Sequence, residues 1–212
     1  MAAEALACLV LLAVQEGRRL LECLAVTRWG SSRMSFAGYA IGIFHYQLML
    51  LTVLAEAPPL GFAVDESGFF SGGLRNAINV VLAVLESVSI RHSVAVGLFC
   101  VASARQHEAI RHLACLRASP SDEKPNMSTY AIPTVGWFQY VSCPHYFAEV
   151  LIYSSFLLLA GMRGGSLGQG YLLALIWVFA NQAFFAASSH AWYLAKFEDY
   201  PRERKRLIPG IW

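Results

Sequence analysis

The sequence predicts an all-α integral membrane protein, a helical bundle of about five transmembrane helices. Two observations predict it. Hydrophobic residues make up 57% of the chain and charged residues 14%, and mostly apolar stretches of about 18 or more residues recur, the length a helix needs to cross a bilayer. No alternating pattern of barrel-strand length repeats, which argues against a β-barrel.

The first span is read at about 2 to 25. Its opening apolar run has the hydropathy of a signal peptide, but it lacks a basic n-region and continues through Arg18 and Arg19 into another apolar stretch, so it is kept as a span. Gln15, Arg18, Arg19 and Glu22, near its cytosolic end, read as snorkelling or solvated groups. The second span, 35 to 56, carries no charge from Phe36 to Ala55. The third, 77 to 103, carries Glu86, Arg91 and His92 and must face protein or a water-filled cavity rather than lipid. The fourth, 137 to 161, contains YVSCPHYFAEVLIY, which sets His145 and Glu149 at i, i+4 on one helix face. Burying an ionisable pair in a bilayer is costly, so by default this pair marks a pathway or ligand site, the alternative being a purely structural pair. The fifth, 169 to 192, is interrupted by Asn181 and Gln182, amides that either glue helices or bind a ligand. The Gly- and Pro-rich 57 to 76 and the polar 119 to 125 are loops.

Orientation follows from the basic residues. Arg28, Arg33, Arg105, Arg111, Arg117, Lys124, Lys196, Arg202, Arg204, Lys205 and Arg206 fall on one side of this arrangement, and Arg75 and Arg163 on the other. The positive-inside rule puts the 104 to 136 loop and the tail in the cytosol and the N-terminus across the membrane. The sequon at Asn126 is then cytosolic and expected to be unmodified. The five cysteines have no C-x-x-C spacing, so neither a disulfide framework nor a zinc site is indicated, and they read as small core residues. The glycines from 161 to 170 follow no strand and do not have G-x-G-x-x-G spacing, so a Rossmann fingerprint is absent. A dinucleotide would need its phosphates held by basic and aromatic side chains on the cytosolic face, which the Arg105 to Arg117 segment and the tail could supply.

WFQYVSCPHYFAEVLIY from Trp137 and HAWYLAKFEDYPRERKRLIP from His190 resemble the C-terminal domain of the steroid 5-alpha-reductase family. The Ser-x-Pro-His-Tyr form of the first motif, Asn181 with Gln182, and QEGRRLLECL from Gln15 resemble its polyprenol-reductase branch. Phe185, Ser189, Ala191 and His145 depart from the steroid enzymes. The resemblance covers most of the chain and divides one continuous bundle into N-terminal helices, 1–102, and a C-terminal domain with cytosolic loop and tail, 103–212.

What the resemblance implies is an endoplasmic-reticulum membrane enzyme that takes hydride from NADPH. It would saturate the alpha-isoprene double bond of a polyprenol or polyprenal, leading to dolichol for protein N-glycosylation. The partners implied are a polyisoprenoid lipid and the membrane, with neither nucleic acid nor metal. Carried over, the cofactor contacts fall on Gln106, Arg117, Tyr130, His145, Glu149, Tyr153, Tyr193 and Arg204, and His190 fits the tail motif. Family members have about seven spans, and this chain resembles one shortened at its N-terminus, beginning at the third. The family's upstream substrate glutamate then has no counterpart, and Gln15 and Glu16 lie at or near the position of its substrate tyrosine. Catalytic candidates within the chain are Gln15, Glu16 and Glu22, with Tyr46. A steroid or enoyl-CoA reductase, and an inactive membrane protein, are the competing expectations.

Overall fold

The structure is a computed structural model and describes residues 2–27, 36–56, 82, 89–117, 130–161 and 166–212. Among the described residues the regular structure is helical, and the one strand-like pairing is an isolated parallel bridge between Val141 and Lys205.

Helix α1 (Ala2–Leu21) runs into a π turn, Glu22–Val26. The Thr27 N–H closes the turn on the Glu22 carbonyl at 2.8 Å, the i→i+5 spacing of a π-bulge. Helix α2 (Phe36–Glu56) turns Met49 and Val53 inward, one helical turn apart. Helix α3 (Ile90–Leu116) is capped by Ser89, whose N–H donates to His92 Nδ1 at 3.0 Å in a capping box. Its buried stripe of Ala95, Phe99, Ala102, Gln106 and Ala109 continues well past the apolar stretch expected to end at 103. The helix persists there because Gln106 finds polar partners inside the bundle and Arg105 pairs with Glu108 at 2.8 Å outside it.

Helix α4 (Pro144–Ala160) follows a 3-10 turn, Gly136–Gln139, so the element expected from 137 becomes helical only at Pro144. Proline's fixed φ suits the first turn of a helix, where its missing N–H has no intrahelical partner to lose. Gly161 ends α4 at φ +78°, and a Cβ there would meet Arg91 Nη1 at 2.6 Å. Helix α5 (Ser166–Lys196) contains Gly168–Lys196, the one stretch among the described residues long and apolar enough to cross a membrane. The apolar stretches Gly42–Leu54 and Pro144–Ala160 are shorter.

One core joins all five helices, centred on Leu12, Val53, Phe99, Ile152, Phe156 and Tyr171. Phe156 stacks on Tyr171 with ring centres 5.4 Å apart and lies 5.9 Å from Phe99. A Cβ on Gly170 would come within 2.4 Å of the Thr52 methyl, so glycine lets α2 and α5 approach this closely.

The two ends of the bundle differ in charge. At one end Arg91, from the start of α3, donates to the Leu158 and Leu159 carbonyls at 2.8 Å and pairs with Glu4 at 2.7 Å. The charge expected in the third span thus faces protein. At the other end lie Arg18 and Arg19, the end of α3, the start of α4, and the end of α5 with the basic tail. Among the cysteines, Cys8 and Cys143 are buried but Cys100 and Cys115 are exposed, which corrects their reading as core residues. They sit on the outward side of α3, where an apolar stretch in the sequence does not distinguish an inward from an outward position. Glu86, Arg28, Arg33, Arg75, Lys124, the Asn126 sequon and Arg163 lie outside the described residues.

Candidate functional site

A cavity of about 660 Å³ opens at the basic end, between the ends of α3 and α5 and the start of α4. That is within the range of about 300–1,000 Å³ typical of small-molecule and cofactor sites. Four of the residues singled out from the sequence meet on its wall: Arg117, Tyr130, His145 and Tyr193. Trp192, Lys196, Ser142 and Ser189 join them.

Each wall residue has a local reason for its position. Pro144 starts α4 and thereby sets His145 in its first turn, at the cavity. The His145 ring packs 4.2 Å from Tyr146, and its Nδ1 is buried with no hydrogen-bond partner. Tyr130 meets Trp192 edge-on at 5.0 Å. Tyr193 stacks almost flat on Tyr200, with centres 5.1 Å apart and planes 8° apart. On the outer side His112 packs on Phe138 at 5.6 Å and accepts the Thr134 N–H at 3.4 Å. Burial, opposed by the Glu108 carboxylate, lowers the His112 pKa below the ordinary imidazole value, which suits an accepting ring nitrogen.

The tail folds back to brace this wall. Ser142 N–H donates to the Lys205 carbonyl at 2.8 Å, and Lys205 N–H donates to the Tyr140 carbonyl at 3.0 Å. Ser142 Oγ accepts from the Tyr200 hydroxyl at 2.7 Å and donates to the Lys205 carbonyl at 3.2 Å. With its single proton used there, the 2.6 Å contact to His190 Nδ1 requires the imidazole to carry its proton on Nδ1. Arg204 donates to the Pro133 carbonyl at 2.9 Å and lies 5.1 Å from the centre of the Tyr200 ring. His190 and Arg204 therefore stand behind the wall and hold Ser142 and Tyr200 in place.

Beneath the cavity floor the polar residues of α1, α3 and α4 meet. Gln106 donates to the His145 carbonyl at 3.2 Å and to Glu149 Oε2. Gln15 donates to Gln106 and to Glu149 Oε2, each at 3.4 Å. Both hydrogen bonds to Glu149 land on one oxygen, and its other oxygen accepts none from the described residues. Arg18 donates to Gln106, to Glu22 and, at 2.7 Å, to Gln15. Glu22, 2% exposed, also binds Arg19 at 2.5 Å and His107 Nδ1 at 2.8 Å.

The structure thus sorts the catalytic candidates. Gln15 and Glu22 are held by partners inside this network, whereas Glu16 keeps a buried Oε1 with no partner. Tyr153 is remote from the cavity wall; its hydroxyl lies 2.6 Å from His45 Nε2. Sequence reasoning missed His45, and it assigned Lys196 and Trp192 no individual place in the site. The last two lay inside the quoted tail motif, while His45 is 108 residues from its partner and carried no local signal. Asn181 is exposed on α5. Among the described residues no three His, Cys, Asp or Glu side chains are placed to hold a metal ion.

The cavity therefore offers two cations, ring faces from Tyr130, Trp192 and Tyr193, and the unsatisfied Nδ1 of His145. This set fits a ligand that carries both negative charge and flat rings.

A family model described as 3-oxo-5-alpha-steroid 4-dehydrogenase matches residues 60–212. Among curated proteins the chain is similar to the polyprenal reductase of Danio rerio, 33% identical over 202 residues that cover 95% of this chain and 59% of that protein. It is 32% identical over 203 residues to the polyprenal reductase of Homo sapiens, covering 96% and 58%. The polyprenal reductase of Caenorhabditis elegans is 29% identical over 203 residues, covering 96% and 59%. The chain spans about three fifths of the length of these relatives. The family match takes in α3, α4, α5, the tail and every wall of the cavity, and the chain belongs to the 3-oxo-5-alpha-steroid 4-dehydrogenase family.

Proposed function

We propose that this chain carries the cofactor site of an NADPH-dependent reductase of the alpha-isoprene double bond of polyprenal, a step towards dolichol and protein N-glycosylation. The observation that carries the reading is the single cavity that Arg117, Tyr130, His145 and Tyr193 line together, with a buried His145 nitrogen left for a ligand. The substrate class rests on the relatives, which are named polyprenal reductases.

The wall suits NADPH in kind. Arg117 and Lys196 offset phosphate charge, Tyr130, Trp192 and Tyr193 offer ring faces, and His145 with the open oxygen of Glu149 offers partners for a carboxamide. The chemistry such a cofactor supplies is hydride for the carbon beta to a conjugated carbonyl. Gln15 and Gln106 hold the Glu149 carboxylate in one orientation, and Ser142 ties the wall to His190 and Tyr200. These are positioning contacts, set before any ligand arrives.

The membrane reading belongs to the same proposal. Five crossings with the basic end in the cytosol place the cavity where soluble NADPH reaches it, in the endoplasmic-reticulum membrane. The exposed Leu173, Ile176, Trp177 and Phe184 of α5 suit contact with lipid and with a long isoprenoid tail.

The test is turnover in microsomes carrying this chain and supplied with NADPH, a polyprenal run beside a steroid enone. Consumption of the polyprenal alone is the expected result. Consumption of the steroid alone would refute the substrate class, and consumption of neither would refute the activity.

A further inference from the structure

Arg18 stands on α1, ahead of the residues 60–212 that the family model matches, yet its guanidinium enters the polar network beneath the cavity. Its Nη1 donates to Glu22, and its Nη2 donates to the side-chain oxygens of both Gln15 and Gln106. Gln15 is fully buried and Gln106 is 3% exposed, so the protein must supply the partners of both amides. On their far side both meet Glu149, where the two Nε2 groups donate to the same Oε2. Gln106 Nε2 also donates to the His145 carbonyl at 3.2 Å.

A guanidinium only donates, and a carboxylate only accepts. An amide held between the two has one orientation, oxygen towards the guanidinium and nitrogen towards the carboxylate. Turned over, Gln106 would set its NH2 against Arg18 and its oxygen against Glu149, leaving buried polar groups opposed and unpaired. Arg18 thus decides which atom of Gln106 faces α4. The atom it selects is the donor that bridges His145 and Glu149, one turn apart on that helix. The bridge fastens the opening turn of α4 to α3 at the residue whose side chain lines the cavity. His145 Nδ1 is buried there without a partner, so a ligand's bond to it depends on where that turn is held. Arg19, the neighbouring cation, binds Glu22 at 2.5 Å and, among the described residues, neither glutamine.

We propose that Arg18 positions His145 for the cofactor, acting through Gln106. The proposal rests on the cofactor reading above. Arg18 is not on the cavity wall, and it is a positioning residue whose planar fork spans Glu22 on one side and two amide oxygens on the other. A lysine carries the same charge as a single point and cannot reproduce that fork.

The experiment measures NADPH affinity and unfolding temperature on the purified chain in detergent. It compares wild type with Arg18→Lys, Arg19→Lys, Gln106→Glu, His145→Phe, and Arg18→Lys combined with His145→Phe. Arg18→Lys should weaken NADPH binding about fivefold, while Arg19→Lys, which keeps a cation beside Glu22, should stay within about twofold. Gln106→Glu keeps an oxygen for Arg18 but turns an acceptor on the His145 carbonyl and Glu149, so it should lose at least as much affinity. It also decides the matter if Arg18→Lys fails to fold. In the His145→Phe background Arg18→Lys should cost nothing further, because the nitrogen it positions is gone. Losses that multiply in the combined variant would make Arg18 a merely structural residue and overturn the proposal. Full affinity in Arg18→Lys or Gln106→Glu, or an equal loss in Arg19→Lys, would overturn it too. A folded wild type that binds no NADPH overturns the cofactor reading, and the positioning role with it.

Discussion

Both ends of the bundle pair ionisable groups, but among the described residues only the basic end sets an unsatisfied buried nitrogen, that of His145, on a cavity wall. At the Arg91 end the guanidinium reaches two α4 carbonyls and Glu4, and Gly161 leaves room for it. Every contact there closes one helix against another. At the basic end His145 Nδ1 is buried without a partner, and one oxygen of Glu149 accepts nothing among the described residues. An unmade hydrogen bond on a buried group is costly, and a protein keeps one where a ligand completes it. The contrast separates a clamp from a site, although both begin as ionisable residues in apolar sequence.

Breaking the clamp should have the largest effect. Arg91→Ala takes the donor from the Leu158 and Leu159 carbonyls and one of the cationic partners from Glu4, and is expected to lower stability by about 1.5–3 kcal/mol. Thermal unfolding in detergent reads this, and NADPH affinity of the folded fraction should not change. Gly170→Leu forces a side chain against Thr52 and is expected to cost about 1–3 kcal/mol in the same assay. Equal stability in that variant would mean that α2 and α5 are not held at this distance.

At the open end the sign on stability should reverse. His145→Phe keeps a ring beside Tyr146 and removes the orphaned nitrogen, so stability should hold or rise. NADPH affinity should fall about tenfold, or about 1.4 kcal/mol. The smallest effect is expected for Lys196→Gln, a few-fold loss of affinity at low salt that disappears at high salt, because an exposed cation is screened. A salt-independent loss would place Lys196 in a close, desolvated contact instead.

Much of this contrast was legible in the sequence, for reasons particular residues make plain. Apolar length located α2 and α5 to within a few residues, since neither run holds a proline to break the helix. The i, i+4 spacing of His145 and Glu149 marked a shared face before any contact was known. The extension of α3 beyond 103 was not legible, because the apolar run stops before Gln106 and the partners that bury it, Gln15 and Glu149, are far away in sequence. Family resemblance named Arg204 and His190, but their place behind the wall depends on a tail that folds back through Lys205, a tertiary pairing without local pattern. Exposure of Cys100 and Cys115 was hidden for a related reason: an apolar run looks the same whether it faces core or lipid.

The most direct test of the account is NADPH binding to the purified chain in detergent, with wild type and His145→Phe titrated side by side and their unfolding temperatures recorded. Saturable binding by the wild type, weakened about tenfold in a variant that unfolds no earlier, is the predicted result. Equal binding by both, or no binding by a folded wild type, would contradict the assignment of this cavity to the cofactor.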